Sequence, residues 1–97
     1  MPAALDLLGR RWSLRLVWEL RRDSIAFSAI RERTGVSPSV LSTRLGELSK
    51  AGVVERDPAG RYRLTGHGRE LARLLYEINR WAEGAGAAGV SSQRERA

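Results

Sequence analysis

The sequence predicts a mainly α-helical domain that carries one small β-hairpin. Apolar residues recur at helical spacing in three segments, and capping or turn residues separate these segments at short intervals. Two short β-prone runs flank a turn at 57–60 that contains both Pro and Gly. The 97 residues, 42% of them hydrophobic, suffice for one modest core and leave no room for a second domain.

The N-terminal part is predicted to contain two helices. Residues 3–8 form a short leading helix, which Gly9 ends. Residues 12–22 form a longer helix with apolar residues on two opposite faces, which indicates a helix placed between two layers. One face carries Trp12, Leu16 and Leu20, and the other carries Leu14 and Trp18.

The next segment is predicted to be a brief strand at 24–27 followed by a short helix. Ser28 is expected to cap this helix, which runs to Arg33 and buries Ile30. The Thr-Gly pair at 34–35 then breaks it.

A second helix of the same motif is predicted to begin at Ser37, whose hydroxyl caps it, with Pro38 at the first helical position. Its apolar residues form one stripe at helical spacing: Leu41, Leu45 and Leu48. The helix is therefore predicted to run to about Ala51, and Gly52 supplies its C-terminal cap. Its opposite face carries short or polar residues: Ser39, Thr43, Gly46 and Lys50, with Ser42 alongside.

The C-terminal part is predicted to form a hairpin and a long amphipathic helix. The strands are 53–56 and 61–64, and Thr65 caps the helix. The apolar stripe of this helix is wide: Leu71, Leu74, Leu75, Ile78 and Trp81. Residues 84–97 are rich in Gly, Ala, Ser and charge, so they are predicted to be a flexible tail beyond a domain at 1–83.

The charge of the chain favours a polyanionic partner. Seventeen Lys and Arg against eleven Asp and Glu give +6, and the excess lies in 10–33 and 37–64, while 65–83 is balanced. Nucleic acid and an anionic membrane both fit this charge. No signal segment opens the chain and no apolar run reaches the ~18 residues of a membrane span, so a cytoplasmic protein is expected. The absence of cysteine excludes thiol redox sensing.

The predicted order of helix, strand, helix, tight turn, helix and basic hairpin is that of a winged helix-turn-helix domain. Five segments resemble the HxlR family of bacterial regulators, within the wider MarR-like group: 8–13, 27–30, 36–45, 48–56 and 62–71. The resemblance covers roughly residues 4–83. It implies a dimeric repressor or activator that binds a pseudo-palindromic operator in double-stranded DNA, with the second helix of the motif in the major groove.

Three features depart from the family pattern. Ala26 stands where the family usually has a basic residue, so one phosphate contact is expected to be missing. The wing is shorter than is common, because only residues 57–60 separate its strands. Several family members sense oxidants through an N-terminal cysteine, which this sequence lacks. The alternative function is therefore a winged-helix protein-interaction module without DNA binding.

The predicted base contacts lie on the polar face of the second helix of the motif. Short or polar side chains can approach base edges in the major groove, whereas a face that serves solubility alone would carry more Lys and Glu. The residues are Ser39, Ser42 and Thr43. Arg44, at the edge of this face, either reaches a phosphate or pairs with a carboxylate such as Glu19.

The predicted phosphate contacts lie on the wing and at two helix starts. Arg61 and Arg63 share one face of a strand, so they either flank phosphates and the minor groove or protect an exposed edge. Ser28 and Ser37 either donate to phosphate or act only as caps.

The apolar surface of the terminal helices exceeds what one small domain needs to cover, which predicts a homodimer; an entirely intramolecular core is the alternative. The predicted interface consists of Leu14, Trp18, Leu71, Leu74, Leu75, Ile78 and Trp81. Its aromatic residues also suit a pocket for a small-molecule effector, whose identity the sequence does not specify.

No catalytic residues, metal site or cofactor is expected. His67 is the only histidine and has no ligand cluster at suitable spacing. Glu70 and Glu77 lie among arginines and are typical of solvated ion pairs. The glycines after Glu83 lack the preceding strand that a dinucleotide site requires.

Overall fold

Four helices and one antiparallel hairpin make up residues 12–85, the part of the chain that this computed structural model describes. In chain order they are α1 (Ser13–Glu19), α2 (Phe27–Thr34), α3 (Pro38–Lys50), β1 (Val54–Arg56), β2 (Tyr62–Leu64) and α4 (Gly66–Ala85). The fold class is the predicted one. The leading helix predicted at 3–8 lies outside the described residues. Of the tail predicted at 84–97, residues 84–85 belong to α4, and the rest lies outside the described residues.

The segment between α1 and α2 differs from the prediction. α1 ends at Glu19 rather than at residue 22, and the strand predicted at 24–27 is reduced to a single bridge. In this bridge the Ile25 N–H donates to the Tyr62 carbonyl over 2.8 Å, and the Ile25 carbonyl accepts from the Tyr62 N–H over 2.9 Å. β2 therefore has β1 on one side and a single residue on the other.

The predicted cap at Ser28 is wrong. α2 begins at Phe27, its N-cap position is Ala26 in extended conformation, and no side chain caps it. The reason is the bridge at Ile25, which fixes the chain against β2 until one residue before the helix begins. Ser28 lies exposed in the first turn.

The end of α3 follows the prediction closely. Gly52 has a φ of 76°, the left-handed conformation that favours glycine. Its N–H donates to the Ser49 carbonyl over 3.0 Å, while the Val53 N–H donates to the Leu48 carbonyl over 2.9 Å. This pair of bonds is the Schellman motif, which satisfies the last carbonyls of the helix and directs the chain into β1.

One hydrophobic core joins the helices and the hairpin. α1 packs against both α3 and α4, as its two apolar faces predict. The buried hydrophobic residues are Leu16, Val17, Leu20, Ile25, Ile30, Val36, Leu41, Leu45, Leu48, Val53, Val54, Tyr62, Leu64 and Ala72.

α4 begins against the strand that follows α3. The Thr65 hydroxyl accepts from the Gly68 N–H over 3.0 Å, which confirms the predicted cap, and it donates to the Gly52 carbonyl. The Thr65 N–H donates to the Val53 carbonyl over 3.0 Å. Gly68 lies so close to the Val53 carbonyl that a Cβ at position 68 would collide with its oxygen.

This close approach predicts that Gly68→Ala lowers the free energy of unfolding by about 1–3 kcal/mol, because backbone atoms must shift to admit the methyl group. Urea denaturation measures the change. The control is Gly46→Ala on the exposed face of α3, where a Cβ meets no atom within 4 Å. Alanine is the better helix former, so this control is expected to gain about 0.5–1 kcal/mol. A Gly68→Ala protein as stable as the unmodified one would contradict the packing of α4 on Val53.

Candidate nucleic-acid interface

The orientation of α3 is fixed by its N-terminal cap and by its apolar stripe. The Ser37 hydroxyl accepts from the Val40 N–H over 3.4 Å, and Pro38 follows at the first helical position, as predicted. Leu41, Leu45 and Leu48 are at most 1% exposed. Because this face is fully buried, the opposite face of α3 points outward.

That outward face carries the predicted base-reading residues. Ser39, Ser42 and Thr43 are all exposed, as is Gly46 one turn further along. None of the three hydroxyls makes a side-chain hydrogen bond within residues 12–85. They are therefore available as donors and acceptors to an external partner.

The turn between α2 and α3 is held by the Thr34 side chain. Its hydroxyl donates to the Ile30 carbonyl over 2.8 Å and accepts from the Val36 N–H over 3.3 Å. Gly35 ends α2 with a φ of 72°. Val36 is buried, so the turn is anchored at both ends and sets the angle between the two helices of the motif.

Arg44 forms an intramolecular ion pair, but its partner is Glu47 rather than Glu19. Its Nη1 lies 3.1 Å from Glu47 Oε1, one helical turn along α3, and both side chains are largely buried. Glu19 instead pairs with Arg15 over 2.9 Å on α1. The ion pair holds the Arg44 guanidinium along the helix beside the outward face.

The hairpin separates its arginines into different environments. In the register Arg56↔Tyr62, the Arg56 guanidinium lies over the Tyr62 ring and its Nη2 donates to the phenol oxygen over 2.6 Å. In the register Glu55↔Arg63, the Arg63 Nε lies 2.8 Å from the carboxylate. Arg61 is exposed, and its guanidinium has no hydrogen bond or ion pair within the described part of the chain.

The tip of the wing is closed by Asp57. One of its carboxylate oxygens accepts from the N–H groups of Ala59 and Arg61, each over 2.9 Å. The hydrogen bond from the Arg61 backbone holds the pKa of the Asp57 carboxyl below its ordinary value, and the Ser24 hydroxyl, the Ala59 N–H and the Arg63 charge act in the same direction. Gly60 completes the turn with a φ of 84°.

A second surface lies on α1 and α4, where the predicted dimer residues fall into two groups. Leu14, Trp18, Leu71 and Leu75 are half-buried, and the last two pack against the core. Leu74, Ile78 and Trp81 are 50%, 60% and 74% exposed and form one stripe along α4.

A groove of about 370 Å³ runs between α1 and α4. Four of the predicted dimer residues line it, together with Arg15, Asn79 and Ala82, which the sequence prediction did not include. Asn79 and Ala82 lie three or four residues from members of the apolar stripe, so a wider helical window would have included them. Tyr76, 52% exposed, lies on another side of α4.

The described residues contain no cluster of three His, Asp or Glu side chains placed to hold a metal ion. Within the same part of the chain, no helix is long and apolar enough to cross a bilayer.

A helix-turn-helix with an outward polar face, followed by a basic hairpin, defines the class of winged-helix DNA-binding domains. A family model of the HxlR-like helix-turn-helix matches residues 7–88, and the chain therefore belongs to this family. The HTH-type transcriptional regulator YvaP of Bacillus subtilis is 41% identical over 86 aligned positions, in an alignment that covers 81% of this chain and 80% of YvaP. The protein is accordingly a DNA-binding transcriptional regulator.

Solved structures show the same fold. Quinone-bound YodB from B. subtilis is 32% identical, with a TM-score of 0.78 over 84% of this chain and 92% of YodB. The transcriptional repressor BigR from Xylella fastidiosa is 31% identical, with a TM-score of 0.67 over 76% of this chain and 77% of BigR.

The lowered pKa of Asp57 predicts that the wing tip loosens in acid. The folded state favours the ionised form of the Asp57 carboxyl, so this group stabilises the fold at pH values above its unfolded pKa of about 3.9. The stabilisation is lost as the pH falls through the lower pKa that the carboxyl has in the folded state. The Ala59 and Arg61 amide resonances are expected to titrate with a midpoint below about pH 3.9. Asp57→Asn keeps an acceptor oxygen but has no proton to gain, so its resonances should stay constant. A midpoint at or above the ordinary value would contradict the assigned hydrogen bonds.

Proposed function

We propose that the protein binds a pseudo-palindromic DNA operator as a homodimer and controls transcription there without catalytic chemistry of its own. The observation that carries this proposal is the outward face of α3. Its hydroxyls have no partners within residues 12–85, while the leucines on the other side hold the helix rigidly on the core. A preorganised polar face loses little conformational entropy when it enters a groove.

In the proposed complex α3 lies in the major groove. The hydroxyls of Ser39, Ser42 and Thr43 donate to or accept from base edges, and the Thr43 methyl group can contact a thymine methyl. Ser28 and Ser37, at the starts of α2 and α3, face the phosphate backbone beside the groove. Arg44 lies beside the reading face and must exchange its ion pair with Glu47 to contact a phosphate.

The wing is proposed to contact the backbone or the minor groove chiefly through Arg61. Arg61 has a side chain without an internal partner, whereas Arg63 must exchange its ion pair with Glu55 to bind a phosphate. Both arginines belong to the proposed DNA surface, but Arg61 is expected to contribute more.

The dimer is proposed to form through α1 and the apolar stripe of α4. Leu74, Ile78 and Trp81 expose large apolar side chains side by side, which is unusual on the surface of a monomer. A two-fold pairing of the α4 helices, each about 30 Å long, would relate the two α3 helices by symmetry, and binding of a pseudo-palindromic operator requires them to reach successive major grooves about 34–36 Å apart.

The division of labour between α3 and the wing is tested on a DNA site obtained by selection from a random pool. Thr43→Ala is expected to weaken binding to this site by about 1 kcal/mol or more, to leave random DNA almost unaffected and to keep the salt slope. Arg61→Ala is expected to weaken both DNAs about equally and to lower the slope of log affinity against log salt by about one unit.

Two variants control this measurement. Thr43→Ser retains the hydroxyl and should lose less affinity than Thr43→Ala. Arg73→Ala removes an exposed arginine from α4 and should leave the salt slope unchanged. Equal losses for Thr43→Ala on selected and random DNA, or an unchanged slope for Arg61→Ala, would show that another surface meets the duplex.

The interface is tested with Leu74→Glu. Leu74 is half-exposed, so a glutamate there should leave the monomer folded but cost the dimer at least about 3 kcal/mol as an uncompensated buried charge. Sedimentation equilibrium measures the dissociation, and circular dichroism checks the fold. Tyr76→Glu is the matched control, because it introduces the same charge at a similarly exposed apolar residue outside the stripe. A folded Leu74→Glu dimer of unchanged affinity would remove α4 from the interface.

A further inference from the structure

Four arginines line a small cleft, and three of them, Arg21, Arg22 and Arg69, lie outside the proposed DNA surface. The volume of the cleft is about 150 Å³. Arg21 and Arg22 come from the segment after α1, Arg63 from β2, and Arg69 from the first turns of α4. Asp23 is the only carboxylate among the lining residues. Three separate parts of the fold therefore bring positive charge to one concave site.

The cleft lies beside β2, between this strand and the segment that precedes Ile25. β2 runs from Tyr62 to Leu64 away from the turn at 57–60. Ile25 pairs with Tyr62 in antiparallel sense, so the residues before Ile25 run alongside those after Tyr62. The segment 21–24 and the Arg63–Leu64 end of β2 are thus brought together beside the wing, where the lining residue Ser24 also lies near Asp57 of the turn.

Two of the arginines are held in place by the protein and keep free donors. The Arg21 Nη1 donates to the Trp18 carbonyl over 2.8 Å, and its guanidinium lies 3.9 Å from the centre of the Trp18 ring. The Arg69 Nη1 donates to the Leu64 carbonyl over 3.2 Å. A guanidinium has five N–H donors, so each retains several for a ligand.

The other two arginines can turn to a ligand at little cost. Arg22 is exposed and makes no hydrogen bond or ion pair within the described part of the chain. Arg63 pairs with Glu55, but both side chains are 45% exposed, and such surface pairs contribute little to stability.

We propose that this cleft binds the phosphate group of a small soluble phosphorylated compound. Converging guanidinium groups suit phosphate because their planar N–H pairs match its oxygens. The volume is about half of the roughly 300 Å³ at which pockets for drug-sized ligands begin, so it suits one phosphate group with few further atoms. Three of the four arginines of the cleft lie outside the proposed DNA surface, which favours a soluble ligand over the DNA backbone.

The test is a titration of the ¹⁵N-labelled chain with inorganic phosphate at constant ionic strength, observed at the arginine Nε–Hε resonances. The resonances of Arg22 and Arg69 are expected to shift with a saturable curve. Arg22→Gln should weaken the binding at least about fivefold, whereas Arg73→Gln, an arginine of α4 outside the cleft, should leave it unchanged.

The same variants are then titrated with DNA at several salt concentrations. An Arg22→Gln salt slope equal to that of Arg73→Gln supports a soluble ligand. A slope lowered by about one unit in Arg22→Gln alone would assign the cleft to a backbone phosphate of DNA and overturn the proposal, whatever the phosphate titration gives. Shifts that do not saturate, or that Arg73→Gln reduces as strongly, would show general charge screening and would also overturn it.

Discussion

The backbone carbonyl of Val53 is the point on which the arrangement of the domain depends. It accepts the Thr65 N–H, lies beside the Thr65 hydroxyl and leaves no room for a side chain at Gly68. The residue itself follows the cap of α3 and precedes β1. Hydrogen bonds and close packing at this one buried carbonyl therefore join α3, the hairpin and α4. A buried carbonyl without a hydrogen bond costs free energy, so the contacts at the Val53 carbonyl resist rearrangement.

A fixed joint matters for a regulator of this class because the two proposed functions, base reading and dimerisation, are assigned to different helices. α3 carries the polar outward face, and α4 carries the exposed apolar stripe. If α4 mediates dimerisation, the separation and tilt of the two α3 helices follow from the angle between α3 and α4 within each subunit. That angle is set by hydrogen bonds and close packing rather than by a flexible linker.

The hairpin shows that formal charge is a poor measure of the charge available to a ligand. Arg56 covers Tyr62, Arg63 pairs with Glu55, and only Arg61 among these three keeps a guanidinium without an internal partner. Alternation along the strand correctly puts Arg61 and Arg63 on the exposed face, but the cross-strand register gives them different partners. The two residues are therefore not equivalent, although they look so in the sequence.

The elements whose signals are local could be predicted from the sequence. The cap at Ser37, the Schellman turn at Gly52 and the leucine stripe of α3 depend on residues within a few positions of one another, and each is present as predicted. Tertiary structure decided the rest. The bridge from Ile25 to Tyr62 reduced a predicted strand and moved the start of α2, and Arg22 met Arg63 and Arg69 in one cleft. These outcomes depend on contacts between residues far apart in the chain, about which helical or strand periodicity carries no information, whereas the Arg44–Glu47 pair has the i,i+3 spacing of neighbours on one helix.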